Sequence, residues 1–483
     1  MSLLQPANLL YKGAFRLPSS GGVASSFDYG GLSLAFYPGG KGGAGSLYIS
    51  GHVDDKMIAE ISIPAPVNSH TLSSLNTASY LQTFADITGG KKSDVPVDGA
   101  GQVGVLYLPK QGSQSTDKVY WQAWVYYGAD GINRKSTGWS QLTLSSPSAQ
   151  GTWFVGTYHS AATSQNMCEI DKTWADTNVG GKYIGCRRTD KEAGGTAFAA
   201  HCGPGLYAIG PWLDGNPPAN TTQLSATPLL FYPDSAQDDP GLASNAGPHH
   251  YPAIFGSPAY RALDFWRGFA WLNIGSETAF LIVGRKQLDF THYGEQTFTY
   301  NVSNVVGTIS GNGEDTGAGA TQVTGLSSGV TAWVGDGSWT TGAPTIPLVL
   351  KSGTFTIGET VQKNGSNHFV IGTINSQDLE GGKGYHATSY EALFLFYDPA
   401  DLASVAAGSL NAYDPIPYAV YRPTTELFNV DNSYRFGGMA YDRTNQKLYF
   451  TEYFVDDARP VVHVYQVIAS SAVSLLPPAL SVA

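Results

Sequence analysis

Three features of the sequence predict an all-β fold. The first is composition: 58 glycines, 28 tyrosines and 10 tryptophans stand in 483 residues of which only 13% are charged. That balance favours short strands and tight turns over helices. The second is Tyr29–Ile63, which reads as three strands, Leu32–Tyr37, Ser46–Ser50 and Met57–Ile63. Pro38-Gly39-Gly40 and Asp54-Asp55 punctuate them, as turns in an antiparallel meander require. The third is the return of this arrangement at Phe436–Val467. Aromatic-Gly-Gly opens both copies, Leu-Tyr-Ile-Ser answers Leu-Tyr-Phe-Thr, and Asp54-Asp55-Lys56 answers Asp456-Asp457 followed by Arg459. Like meanders at both ends of a chain point to a ring.

Taken in order, Leu9–Leu17 is an isolated strand. A β-propeller closes by placing both chain ends in one blade, which removes an open sheet edge, so this strand is expected to join the C-terminal meander as its fourth. Tyr29–Ile63 is the first unit. Val103–Leu108 with Lys118–Tyr127 is the second, with Trp139–Leu144 outside it. Thr152–Tyr158, Met167–Asp171 and Tyr183–Arg187 form a third; Gly205–Gly210 with Thr227–Tyr232 form a fourth. Gly268–Asn273 and Thr278–Gly284 form a fifth, whose outer strand, Glu391–Tyr397, lies far downstream. The C-terminal meander is the last. The expectation is a propeller of about six blades. Pro399–Ala407 is a short helix with Asp398 placed to cap it.

Gln296–Asn375, inside the fifth unit, has a character of its own. It is rich in Thr, Ser, Gly and Val, and its only basic side chains of the lysine or arginine type are Lys351 and Lys363. It reads as an inserted small β-domain, because loop tips with adjacent ends tolerate insertions. The expected organisation is 9–295 and 376–467 for the two parts of the propeller, 296–375 for the insertion, and 468–483 for a tail.

Within the insertion, Gly353–Ile374 has the form G-x-F-x-x-G-E-x-V, then a hydrophobic-Gly-hydrophobic strand. It resembles short β-modules of tailed-phage structural proteins. The resemblance implies a structural or adhesive virion-associated protein: tail, fibre or capsid decoration. Its partners would be other virion proteins, further copies of itself, or a cell-surface glycan. The N-terminus has no basic segment followed by a long apolar one, so no signal peptide is visible, which suits a virion part assembled in the host cytoplasm.

Other classes are disfavoured by residues that are missing. A net charge of −11 and no basic patch argue against nucleic acid. No apolar run is long enough to span a membrane. Walker A is lacking, no G-x-G-x-x-G leads from a strand into a helix, and no G-x-S-x-G nucleophile elbow is seen. Cys168, Cys186 and Cys202 are odd in number and lack tight spacing, which argues against a disulfide scaffold while leaving a Cys168–Cys186 bridge open.

Three constellations remain. Loop aromatics stack on sugar faces, and Trp333, Trp339, Trp212 and Tyr251 are the binding candidates, beside aromatic-rich Trp121–Tyr127. His52, His159, His201 and His386 lie at strand ends, where imidazoles could converge on a channel and hold a divalent metal. With Arg267, Tyr293 and Arg435 they define the alternative, a polysaccharide-active or metal-dependent propeller enzyme. The favoured reading needs no cofactor. Asp28, Asp54, Asp55, Glu391, Glu452, Asp456 and Asp457 include the carboxylates a glycosidase needs, although Asp at strand ends more often makes turns.

Overall fold

The computed structural model describes residues 2–19, 24–94, 100–125, 135–157, 163–188, 202–233, 250–261, 263–288, 292–293, 297–312, 319–350, 353–378, 385–387, 389–430 and 432–473. Its largest part is five antiparallel meanders of four strands each. Sheet 1 comprises Leu34–Tyr37, Ser46–Ser50, Ile58–Ser62 and Tyr80–Ala85. Sheet 2 comprises Ala100–Leu108, Lys118–Val125, Thr137–Ser140 and Gln150–Val155. Sheet 3 comprises Thr163–Glu169, Ile184–Arg188, Leu206–Ile209 and Ala226–Leu230. Sheet 4 comprises Phe265–Ile274, Glu277–Gln287, Tyr390–Tyr397 and Ala419–Tyr421. In sheet 5, Phe436–Asp442, Lys447–Asp456 and Arg459–Val467 are completed by the N-terminal strand Leu9–Arg16. Two-residue parallel strands, Gln223–Leu224 and Ser2–Leu3, extend sheets 2 and 4.

Six such units were expected and five are present among the described residues. Thr152–Tyr158 was assigned to a third unit, but the strand found there, Gln150–Val155, pairs with Thr137–Ser140 as the outer strand of sheet 2. The expected third and fourth units are the two halves of sheet 3, since Ile184–Arg188 and Leu206–Ile209 pair directly. Residues 189–201, between them in sequence, obscured that pairing. The joining of the chain ends is as expected. Leu9 pairs with Val467 and Arg16 with Val461. Arg16 also grips Asp456 through two 3.0 Å contacts, and Arg459 binds the same carboxylate at 3.0 Å. Asp456-Asp457 is therefore a turn that ties the two ends together.

The first strands of the five sheets touch in cyclic order. Leu34–Tyr37 lies against Phe436–Asp442 and Ala100–Leu108, Thr163–Glu169 against Ala100–Leu108 and Phe265–Ile274, and the last of these against Phe436–Asp442. Apolar clusters fill the gaps between sheets. One joins Leu47 and Ile61 to Phe15, Tyr449 and Val462; another joins Tyr48 and Ile58 to Val105 and Trp121. Both faces of a middle sheet are thus buried, and every residue of Ser46–Ser50 and Ile58–Ser62 is inaccessible. Burial on both faces also claims the aromatics: Tyr120 and Trp121, neighbours on one strand, are both in the core.

Thr297–Asp378 departs from this pattern. Thr297–Ser303, Thr345–Leu350, Thr331–Val334, Gln322–Gly325, Thr360–Lys363 and Ser366–Asp378 close into a six-stranded barrel. Tyr300, Val323, Val334, Leu348, Val361 and Phe369 are among the residues that fill it, in a cluster drawn from this segment alone. At its root, His292–Tyr293 pairs antiparallel with Tyr385–His386, which brings the segments on either side of the barrel together. Pro399–Ala406 is the expected helix, and Asp398 caps it by accepting Ala400 N–H at 2.8 Å.

Candidate functional site

Trp339 is where the sequence candidates and the geometry meet. It ends a short strand, Gly337–Trp339, that pairs with Ile309–Gly311 on the flank of the barrel. Gly337 has φ +142°, and a Cβ there would sit 2.9 Å from the Trp339 ring, so glycine is what lets the indole fold back over its own strand. The ring is half-buried, with one part on the barrel core and the rest available.

It opens onto a cleft of about 710 Å³. The barrel wall supplies Thr299, Asp336, Ser338, Thr345, Asn375 and Gln377; across from it stand Arg261 and Ser389. Arg261 Nε is buried with no hydrogen-bond partner among the described residues, while Arg261 N–H is held by Asp264 at 3.0 Å. Hydroxyls, amides, a carboxylate and a guanidinium around one aromatic ring can serve alternating donors and acceptors. Those are the contacts a polyhydroxylated ligand needs. Only Trp339 of this set was singled out from the sequence. Arg261 and Ser389 flank the barrel in the chain, and the fold brings both to the cleft wall. A glycine two positions before an exposed tryptophan was the one local signal.

The other binding candidates divide. Trp333 is half-exposed on the outer face of the barrel, opposite Gln322 and Val349, while its neighbours Ala332 and Val334 point inward. Trp212 and Tyr251 were expected to be open and are core residues instead. Trp212 is stacked on Tyr183 at 5.2 Å, and Tyr251 stands edge-on to Tyr232 and Trp266 at 5.1 and 5.8 Å. Packing between sheets takes up such rings.

The described part of the histidine set does not form a metal site. His52 is half-buried, accepts Asp54 N–H at 3.2 Å and stands edge-on to Tyr29. His386 belongs to the ribbon at the barrel root, paired with His292. His159 and His201 lie outside the described residues. Among the described residues no three His, Cys, Asp or Glu side chains are grouped to hold a metal. Arg267 is buried, its guanidinium 3.8 Å from the centre of the Phe265 ring. Arg435 is exposed over Phe454 and donates to Ser433 Oγ at 2.8 Å, whereas Tyr293 is at the barrel root. Three more of the carboxylates serve structure. Glu452 is buried, accepting Phe428 and Asn429 N–H and meeting His463 Nε2 at 2.7 Å. Glu391 pairs with Arg422 at 2.7 Å, and Asp55 accepts Ser25 Oγ–H at 2.7 Å. All three cysteines are free and buried; burial pushes the Cys168 thiol up to about 12.

The fold and site define an all-β protein of several sheets carrying a polar, tryptophan-floored cleft on a closed barrel. No described helix is long and apolar enough to cross a membrane. The chain matches no protein family and no curated protein sequence.

Proposed function

We propose that this is an adhesive protein in which the barrel makes a glycan contact through the Trp339 cleft. In this reading the five meanders are blades of a five-bladed propeller closed by both chain ends, and the barrel is an inserted domain held out from it. The observation that carries the reading is a half-exposed indole, freed by Gly337, facing a cleft lined by short polar side chains. A rigid ring of sheets suits a part that must present a weak site in fixed geometry and many copies, where avidity multiplies affinity. The resemblance of Gly353–Ile374 to short phage modules is what favours a virion as the setting of such a protein. The propeller enzyme is the less supported alternative, since its described side chains serve packing or turns.

The test is binding of the full chain to a panel of immobilised oligosaccharides. Trp339→Ala should weaken the best binder by about 30-fold, the effect of removing an anchor of roughly 2 kcal/mol, while Trp333→Ala should change it little. Binding indifferent to Trp339→Ala, or no binding across the panel, would sink the proposal.

A further inference from the structure

Arg261 is the one cation among the described residues that line the Trp339 cleft. Its Nε is enclosed, so a ligand in the cleft would meet the two terminal Nη groups, which are not enclosed in this way. Among the described residues no acceptor takes either of them; the only hydrogen bond of Arg261 is the one its backbone N–H donates to Asp264. The carboxylates behind this wall are committed elsewhere. Asp264 meets the buried Lys286 ammonium at 2.8 Å through both oxygens and accepts Gln287 N–H at 2.9 Å. Glu391 pairs with Arg422 at 2.7 Å and accepts Ser257 Oγ–H.

Among these described groups three cations face two carboxylates, and Arg261 is the unmatched one. Its charge is felt at Lys286: burial chiefly, with Arg261 adding to it, holds that ammonium below its ordinary range against the pull of Asp264. A guanidinium beside a second cation favours an anion. Its paired N–H donors match the two oxygens of a carboxylate, and it is more weakly hydrated than an ammonium. Asp336 limits the charge of that anion. It is exposed on the barrel wall of the same cleft, so a doubly charged group such as a phosphate monoester meets more repulsion than a single carboxylate.

We propose that the ligand of this cleft is an acidic glycan, with a sugar carboxylate accepting from the Nη groups of Arg261 while a sugar ring lies on Trp339. The inference rests on the cleft being a glycan site. The test is an array of oligosaccharides, neutral, sulfated and uronate-bearing, in which each uronate is present as the free acid and as its methyl ester, probed with the full chain. The best binder should be a uronate, and its acid should bind at least about tenfold more tightly than its ester. That comparison uses the wild-type chain and needs no variant to fold. Arg261→Gln, with a wild-type melting temperature, should bring the acid down to its ester, and raising salt to about 0.5 M should narrow the same gap by screening. Equal binding of acid and ester, neutral or sulfated sugars bound in preference to every uronate, or an acid preference that survives Arg261→Gln would overturn the inference. If Trp339→Ala weakens binding in those cases, the glycan reading of the cleft stands and the carboxylate alone fails; indifference to Trp339→Ala removes both.

Discussion

Glu359 offers the sharpest test of how the barrel is held together. Its Oε2 accepts Ser327 N–H at 2.9 Å, Ser327 Oγ–H at 3.0 Å and Ser328 N–H at 2.9 Å, and its Oε1 accepts Thr356 N–H at 2.6 Å. One carboxylate therefore fastens the turn after Gln322–Gly325 to the turn before Thr360–Lys363. Glu359→Gln keeps the shape but turns one oxygen into a donor, which then faces another donor whichever way the amide lies. Hydrogen bonds to a charged group are worth about 1.5–3 kcal/mol each and an orphaned buried donor costs about 1–3, so a net loss of about 2–3 kcal/mol is expected in local stability. Hydrogen exchange read by mass spectrometry should show residues 322–325 and 360–363 exchanging about 30- to 150-fold faster, with the five sheets unaffected. The pH dependence has a definite sign. Burial pushes this carboxyl up, but hydrogen bonds from Ser328, Thr356 and Ser327 outweigh it and hold the group at about 2 against an ordinary 4.5. A carboxyl depressed by folding stabilises above its unfolded value, and that stability drains away as pH falls from 4.5 towards 2. Wild-type barrel protection should fall across this window and the Gln variant should stay flat. A change in exchange of less than threefold, or equal acid slopes, would refute the reasoning.

Three further outcomes follow from the packing. Lys286 is wholly buried with Nζ 2.8 Å from both oxygens of Asp264, so Lys286→Met should cost about 3–5 kcal/mol in urea unfolding by leaving that carboxylate alone, and Lys286→Met with Asp264→Asn should recover most of it. Burial already raises the Asp264 carboxyl, and a carboxyl raised by folding favours the folded state at low pH, so the single variant's deficit should shrink towards acid pH. Removing residues 2–16 strips Arg459–Val467 of its partner strand and Asp456 of Arg16, and size-exclusion chromatography should show association through the bared edge. Gly138→Ala should lower the melting temperature by an amount equivalent to about 1–3 kcal/mol, since its Cβ would meet the buried Trp121 ring at 2.2 Å and the Gln150 carbonyl at 2.4 Å.

Much of the site was hidden from the sequence for one reason. The residues that line the Trp339 cleft are ordinary Thr, Ser, Asn, Gln and Arg side chains with no mutual spacing, and the pairing of His292–Tyr293 with Tyr385–His386 is what brings the flanks of the barrel together. Trp212 and Tyr251 looked like Trp339 in sequence, each near glycine or proline. Only packing against Tyr183, Tyr232 and Trp266 distinguishes them.

Strand-forming runs between glycine, proline and aspartate turns were enough to establish the all-β class and the pairing of the two chain ends. These depend on local propensity and on a repeated pattern, which a sequence displays directly. The number of sheets, the assignment of Gln150–Val155 to sheet 2 and the choice of exposed tryptophan depend on which strands find each other across long loops. Hydrogen bonds between edges and burial between sheets decide those matters. Neither leaves a periodic mark, because a sheet buried on both faces is apolar throughout.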